Sequence, residues 1–237
     1  MSLIQLTICL SIMSMVTNAQ SGSKPEVKRY FFHSHGISFQ KFENLNNRIA
    51  AYPQYEQAKN SIGTLQFGMI SERNKLVTSF NFNAGSSFSG DREKKSSNTR
   101  FLGLSADVGY NLLKSNRVSI FPFAGLGYEN YTMTFNKNVS SVPFDSVLQS
   151  NNFQQRVENV VFNNSFFVYR LGFGIFVSSK KHVQNSLGFQ LGYTGGFGEQ
   201  EWKINKTQTL LNGPKDELSK LWASILFRYQ FKRKNQQ

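Results

Sequence analysis

The sequence predicts an all-β protein, an eight-stranded antiparallel up-and-down transmembrane β-barrel, on the basis of three observations. Eight segments alternate in side-chain type with a period of two, which is typical of strands whose two faces meet different surroundings. In most of them the bulky apolar side chains share one face, and glycine, serine and isolated charges share the other. The connections between them are alternately short and long. This combination favours lipid outside the barrel and a narrow, crowded interior.

The strand-like segments lie between residues 30 and 231, and each is long enough to cross a membrane as a tilted strand, which takes about 9 to 11 residues. Their predicted bounds are 30–42, 61–70, 76–88, 100–112, 117–131, 166–177, 186–197 and 220–231. In the fourth segment Leu102, Leu104 and Val108 lie opposite Ser105 and Asp107. A soluble ligand-binding barrel would have the opposite arrangement, with apolar side chains inward around a cavity.

The connections indicate which end of the barrel faces which compartment. The short ones are 71–75, 113–116 and 178–185, and the longer ones are 43–60, 89–99, 132–165 and 198–219. Strict alternation of this kind matches barrels of bacterial outer membranes, in which the turns on the periplasmic side are short and the outer loops are long. A connection as long as 132–165 would be unusual in a compact soluble domain.

The N-terminal residues have the composition of an export signal. An apolar run ends in small residues, and we expect residues 1–19 to be a signal peptide that is cleaved after Ala19. Residues 20–29 are then a polar periplasmic leader. Cys9 is the only cysteine and would leave with the signal, so a disulfide framework and a cysteine metal site are excluded in the mature chain.

Composition and charge exclude other classes of protein. The hydrophobic fraction of 39% is too low for a helical membrane protein, and 23 phenylalanines are too many for a disordered chain. The net charge of +13 is concentrated in the termini and short turns, including a basic periplasmic tail at 232–237. We expect these cations to face anionic lipid headgroups. Nucleic acid is not an expected partner, because bases and aromatic residues are not interleaved in one groove.

Charged residues on the inward strand faces are the candidate site. Asp107, Glu129, Arg170 and Arg228 form a predicted lumenal charge network. We expect Glu129 to meet Arg170 near the outer strand ends, and Asp107 to meet Arg228 in the lower half. Such charges are favourable in a narrow interior only if each has a partner. The network would close the barrel like a plug.

Two histidines in the first segment are also candidate ligands. His33 and His35 share a face with Ile37 and Phe39, which leaves the register of this strand the least defined. No third ligand lies near them in the sequence, so we expect no metal and no cofactor. No Ser-His-acid set is assembled at the outer rim, and no catalytic residue is predicted.

The run Pro122-Phe-Ala-Gly-Leu-Gly-Tyr128, together with the eight amphipathic strands, resembles the small outer-membrane β-barrels of Gram-negative bacteria, the OmpA/OmpX-like and "porin family" barrels. The resemblance covers residues 30–231. It implies residence in the outer membrane and contact with its lipids. It also implies that the insertion machinery reads an aromatic residue of the last strand, where Tyr229 and Phe231 lie.

The function expected from these features is that of a non-catalytic barrel with a plugged lumen, which contributes to envelope integrity. Loops 43–60 and 132–165 are the expected contacts for an extracellular partner. Three alternatives remain open at this point: narrow transport of ions or small solutes, modification of lipid A, and a secreted soluble barrel that binds lipid.

Overall fold

The computed structural model describes residues 27–91, 95–113, 115, 117–137, 159–178, 185–204 and 208–230. Eight long strands form the barrel: β1 (Val27–Gln40), β2 (Ser61–Arg73), β3 (Leu76–Gly90), β4 (Ser96–Tyr110), β5 (Val118–Asn136), β6 (Val160–Ser178), β7 (Asn185–Gly196) and β12 (Ser219–Gln230). The connections add helix α1 (Glu43–Ala50) and the short strands β8 (Gln200–Glu201), β9 (Lys203–Ile204), β10 (Gln208–Thr209) and β11 (Lys215–Asp216). In this part of the chain, no helix is long and apolar enough to cross a membrane.

Each long strand pairs antiparallel with its neighbours in the chain, and the sheet closes because β12 pairs with both β7 and β1. Closure leaves no free strand edge. The predicted fold class, an eight-stranded antiparallel up-and-down transmembrane barrel, is therefore confirmed. We call its two ends the short-turn end, where β2 meets β3, and the long-loop end, where β1 leads into α1.

Several predicted bounds differ from those of the structure. β1 begins at Val27, inside the predicted leader 20–29, because residues 27–29 pair with β2. β5 and β6 continue into the predicted loop 132–165, because they pair with each other as far as Phe135 and Val160. Residues 43–50 of the predicted loop 43–60 are helical. The predicted signal 1–19, most of the leader, Phe231 and the tail 232–237 lie outside the described residues.

The partition of the strand faces is confirmed. Leu102, Leu104 and Val108 of β4 are about half exposed on the outer surface, whereas Ser105 and Asp107 are buried inside. Outward apolar side chains recur on every long strand and produce a largely apolar outer surface, as lipid requires. In β1 the outward positions are held by Phe31, His33, His35, Ile37 and Phe39, which settles the register that the sequence left undefined.

The interior is more aromatic than the sequence analysis predicted. One apolar cluster lies toward the short-turn end and contains Tyr30, Phe32, Ile70, Val77, Phe121, Phe123, Phe176 and Leu226. A second lies toward the long-loop end and contains Phe42, Leu45, Ile49, Ala58, Ile62, Phe101, Tyr131, Met133, Phe135, Phe166, Val168, Trp202 and Leu218. The second cluster includes residues of α1 and of the connection between β7 and β12, so these segments pack over the barrel end.

Candidate functional site

The described residues form three ion pairs inside the barrel, and the first joins Asp107 of β4 to Arg170 of β6. Asp107 Oδ1 lies 3.7 Å from Arg170 Nε, and both side chains are almost fully buried. The two residues flank Gly125 of β5 in register. A side chain at Gly125 would collide with the Asp107 carboxylate, so the glycine leaves the space through which the charges meet.

Hydrogen bonds hold the other carboxylate oxygen and one guanidinium nitrogen, whereas Asp107 Oδ1 and Arg170 Nε have no hydrogen-bond partner among the described residues. Asp107 Oδ2 accepts from Asn81 Nδ2 at 2.6 Å and from Ser79 Oγ at 3.3 Å. Arg170 Nη1 donates to Ser105 Oγ. The guanidinium lies 5.0 Å from the Trp222 ring centroid, which is within the range of a cation–π contact.

The second pair joins Glu129 of β5 to Lys220 at the start of β12. Lys220 Nζ donates to both carboxylate oxygens of Glu129 at 2.6 Å. The Tyr131 hydroxyl donates to Glu129 Oε2 at 2.8 Å, and Lys220 Nζ lies 4.4 Å from the Phe101 ring centroid. This pair therefore lies directly beneath the apolar cluster at the long-loop end.

The third pair lies at the short-turn end, where Arg228 of β12 contacts Glu72 of β2. Arg228 Nη2 donates to Ser186 Oγ at 3.2 Å. The guanidinium lies 4.0 Å from the Tyr30 ring centroid and 4.2 Å from that of Phe176. Arginine suits this position because a planar, weakly hydrated cation stacks on aromatic rings.

All four residues predicted for the lumen, Asp107, Glu129, Arg170 and Arg228, are thus buried inside the barrel. Their predicted partners were wrong: Asp107 meets Arg170, whereas Glu129 and Arg228 meet residues outside the predicted set. Lys220 and Glu72 were not among the predicted lumenal residues, because their predicted places are a strand end and a turn. Parity along the strand was the available signal, since Lys220 shares the inward face of β12 with Arg228.

A carboxylate also organises the long-loop end. Asp216 accepts hydrogen bonds from the backbone N–H groups of Asn44 and Leu45, at 2.9 and 3.2 Å, and from Trp202 Nε1 at 2.8 Å. The first turn of a helix has unpaired N–H groups and a positive dipole end, so a buried carboxylate is stabilising there. The residue before α1, Phe42, has no side chain that can cap the helix. Asp216 caps it instead, although it lies 172 residues after Asn44 in the chain.

The barrel is similar in structure to solved outer-membrane proteins. Ail from Yersinia pestis, crystallised with the heparin analogue sucrose octasulfate, superposes with a TM-score of 0.51 and 10% identity, covering 87% of this chain and 99% of that chain. A major outer membrane protein from Thermus thermophilus superposes with a TM-score of 0.50 and 13% identity, covering 86% of this chain and 99% of that chain. The chain has the fold of the small eight-stranded outer-membrane β-barrels. No family model and no curated protein sequence matches it.

The middle of the barrel interior contains a small cavity. A cavity of about 30 Å³ is lined by Ser34, Gln66 and Ser224, and also by residues of the first two ion pairs. That volume accommodates about one or two water molecules. Among the described residues, no group of three or more His, Cys, Asp or Glu side chains is arranged to hold a metal ion.

Removing one member of a buried pair should be much more damaging than removing both. We predict that Lys220→Met lowers the free energy of unfolding by about 3 to 5 kcal/mol, because Glu129 is left as an uncompensated buried charge. The double variant Lys220→Met, Glu129→Gln should recover most of this loss. Urea unfolding in lipid vesicles measures both, and a double variant as unstable as the single one would contradict the pairing.

Loss of the Asp216 carboxylate should loosen α1 without opening the barrel. We predict that Asp216→Ala lowers the stability of this end by about 1 to 3 kcal/mol, because two N–H groups of α1 and the Trp202 indole lose their acceptor. Hydrogen exchange at residues 43–50 should accelerate, while exchange in β1 to β7 stays unchanged. The matched control is Glu201→Ala, which removes an exposed ion pair with Lys215 and should change exchange little. Equal effects of the two substitutions would contradict the capping role.

Proposed function

We propose that this protein is a non-catalytic integral outer-membrane barrel with a closed lumen, which contributes to envelope integrity and presents its long-loop end to partners. The observation that carries the proposal is the filling of the interior. Three ion pairs and two apolar clusters occupy it from one end to the other. An eight-stranded barrel is narrow enough for its own side chains to fill, and here bulky aromatic residues do so.

The outer surface supports residence in the outer membrane. Its apolar band is bordered by outward tyrosines near the strand ends, such as Tyr110 and Tyr229 at the short-turn end and Tyr128 toward the long-loop end. Tyrosine is enriched at both interfaces of membrane barrels. Tyr229 also lies in the strand that we propose the insertion machinery reads, together with Phe231.

The short-turn end has the chemistry expected of the periplasmic side. A cavity of about 370 Å³ opens there and is lined by Lys28, Lys75 and Arg117, and also by the Arg228–Glu72 pair. Anionic lipid headgroups attract such cations by about 1 kcal/mol for each Lys or Arg near the surface. We therefore propose that this end contacts phospholipids of the inner leaflet.

The long-loop end supports a role in binding. Helix α1 is fixed by Asp216. The long-loop ends of β3 to β6 stay paired up to Gly90, Ser96, Asn136 and Val160. Tyr52 after α1 and Leu211 at the tip of the last loop are exposed, at 54% and 101%. A rigid support with exposed apolar groups suits a protein contact, and we propose that residues 43–60 and 132–165 take part in it.

Liposome swelling tests the closed lumen. We predict that the wild-type protein gives no swelling above protein-free vesicles in small sugars, whereas a general porin reconstituted at the same density swells rapidly. Phe121→Ala combined with Phe176→Ala removes two stacked rings from the interior and should increase permeability. Swelling of wild-type vesicles at the porin's rate would overturn the proposal in favour of transport. A change in lipid A mass on adding the protein would favour an enzyme.

A further inference from the structure

Two histidines lie on the surface that faces lipid. The exposed charged residues Arg29 of β1 and Lys41, which directly follows β1, lie at the two ends of an outward row whose midpoint is His35. At about 3.3 Å per residue and a tilt of about 40°, this span covers roughly 30 Å along the membrane normal, which is the thickness of the hydrocarbon core. His35 is therefore near the centre of the bilayer, and His33 lies one outward position closer to the short-turn end.

The surroundings of these two side chains are apolar. On the outer surface His35 pairs in register with Leu65 of β2 and Ile225 of β12. His33 stacks on Phe227 and Tyr229, with centroid distances of 5.2 and 5.8 Å, and meets the His35 ring edge-on at 5.8 Å. Within the described part of the chain, neither imidazole has a hydrogen-bond partner.

A polar side chain at the depth of His35 is costly unless it faces a partner, because lipid tails offer no hydrogen bonds and the headgroups are too far away. We propose that a second copy of this chain covers the outward face of β1. A two-fold axis along the membrane normal keeps every residue at its own depth, so it brings His35 of one copy to His35 of the other. A neutral imidazole has one donor and one acceptor, so two rings can bond to each other.

The shape of the neighbouring surface fits the same partner. Ile37, the next outward residue, lies between Gly63 of β2 and Ala223 of β12 in register. The two small residues leave shallow depressions on either side of a ridge formed by His35 and Ile37. A two-fold partner can place its own ridge in such a depression, and close approach of this kind stabilises association in membranes.

Energy transfer between labelled copies in lipid vesicles, at graded ratios of protein to lipid and with a chelator present, measures the association. We predict a dimer for the wild type and a dissociation constant about tenfold higher for His35→Leu. His35→Gln, which keeps a donor and an acceptor, should retain the dimer, and Phe173→Leu on β6 is the control. Leucine suits lipid better than histidine, so a loss of association cannot be attributed to misfolding. Folding of each variant is checked by heat-modifiable gel mobility.

Disulfide cross-linking locates the contact. In the chain without Cys9, Ile37→Cys should form a covalent dimer on oxidation, whereas Leu126→Cys, on the opposite strand β5, should not. A monomeric wild type at every lipid ratio, an unchanged dimer in His35→Leu, or equal cross-linking at the two cysteine positions would each overturn the proposal.

Discussion

The need to pair charges inside a closed sheet determines much of this structure. Once β12 pairs with β1, the inward side chains share a confined space in which most of them are buried, and an unpaired charge there would be severely destabilising. Asp107 and Arg170 meet only because Gly125 leaves the position between them empty. Arg228 is held by Glu72 on one side and by the rings of Tyr30 and Phe176. Besides their role in packing, interior glycines thus leave space for charged side chains, and interior aromatic rings stack on them.

The long-loop end also contains a buried charge that needs partners, the carboxylate of Asp216. Asp216 is buried, and its carboxylate is balanced by helix N–H groups and an indole in place of a basic side chain. Its three hydrogen bonds tie α1 to the connection between β7 and β12. This contact holds the apolar cluster of Phe42, Leu45 and Trp202 over the Glu129–Lys220 pair. The cap and the lumen therefore form one continuous packed interior.

The strand faces could be predicted from the sequence because lipid and lumen impose opposite requirements at alternate residues. The alternation is clear in β4, where Leu104 and Ser105 point to opposite sides. The partners of the lumenal charges could not be predicted in this way, since they depend on the register between strands that are far apart in the chain. Lys220 is an example. It lies an even number of residues from Arg228 and so faces inward as well, but it lies at a strand end, where a pattern of period two is weakest.

The capping of α1 by Asp216 could not be predicted from neighbouring residues, for a related reason. Helix α1 has only eight residues, and Phe42 before it gives no capping signal. The residue that stabilises it lies 172 positions away in a segment of short strands. In β1 the two outward histidines disturbed the apolar pattern, and only pairing with β2 and β12 resolved the register.

Side-chain proton exchange tests most directly the proposal that paired charges close the interior to water. In lipid nanodiscs, nuclear magnetic resonance can follow exchange with solvent of the Arg170 Nε proton and the Lys220 Nζ protons. The structure predicts exchange far slower than for the exposed Lys41 and Lys215 side chains. Exchange as fast as at these surface residues would mean that water moves freely through the barrel, and it would contradict the account.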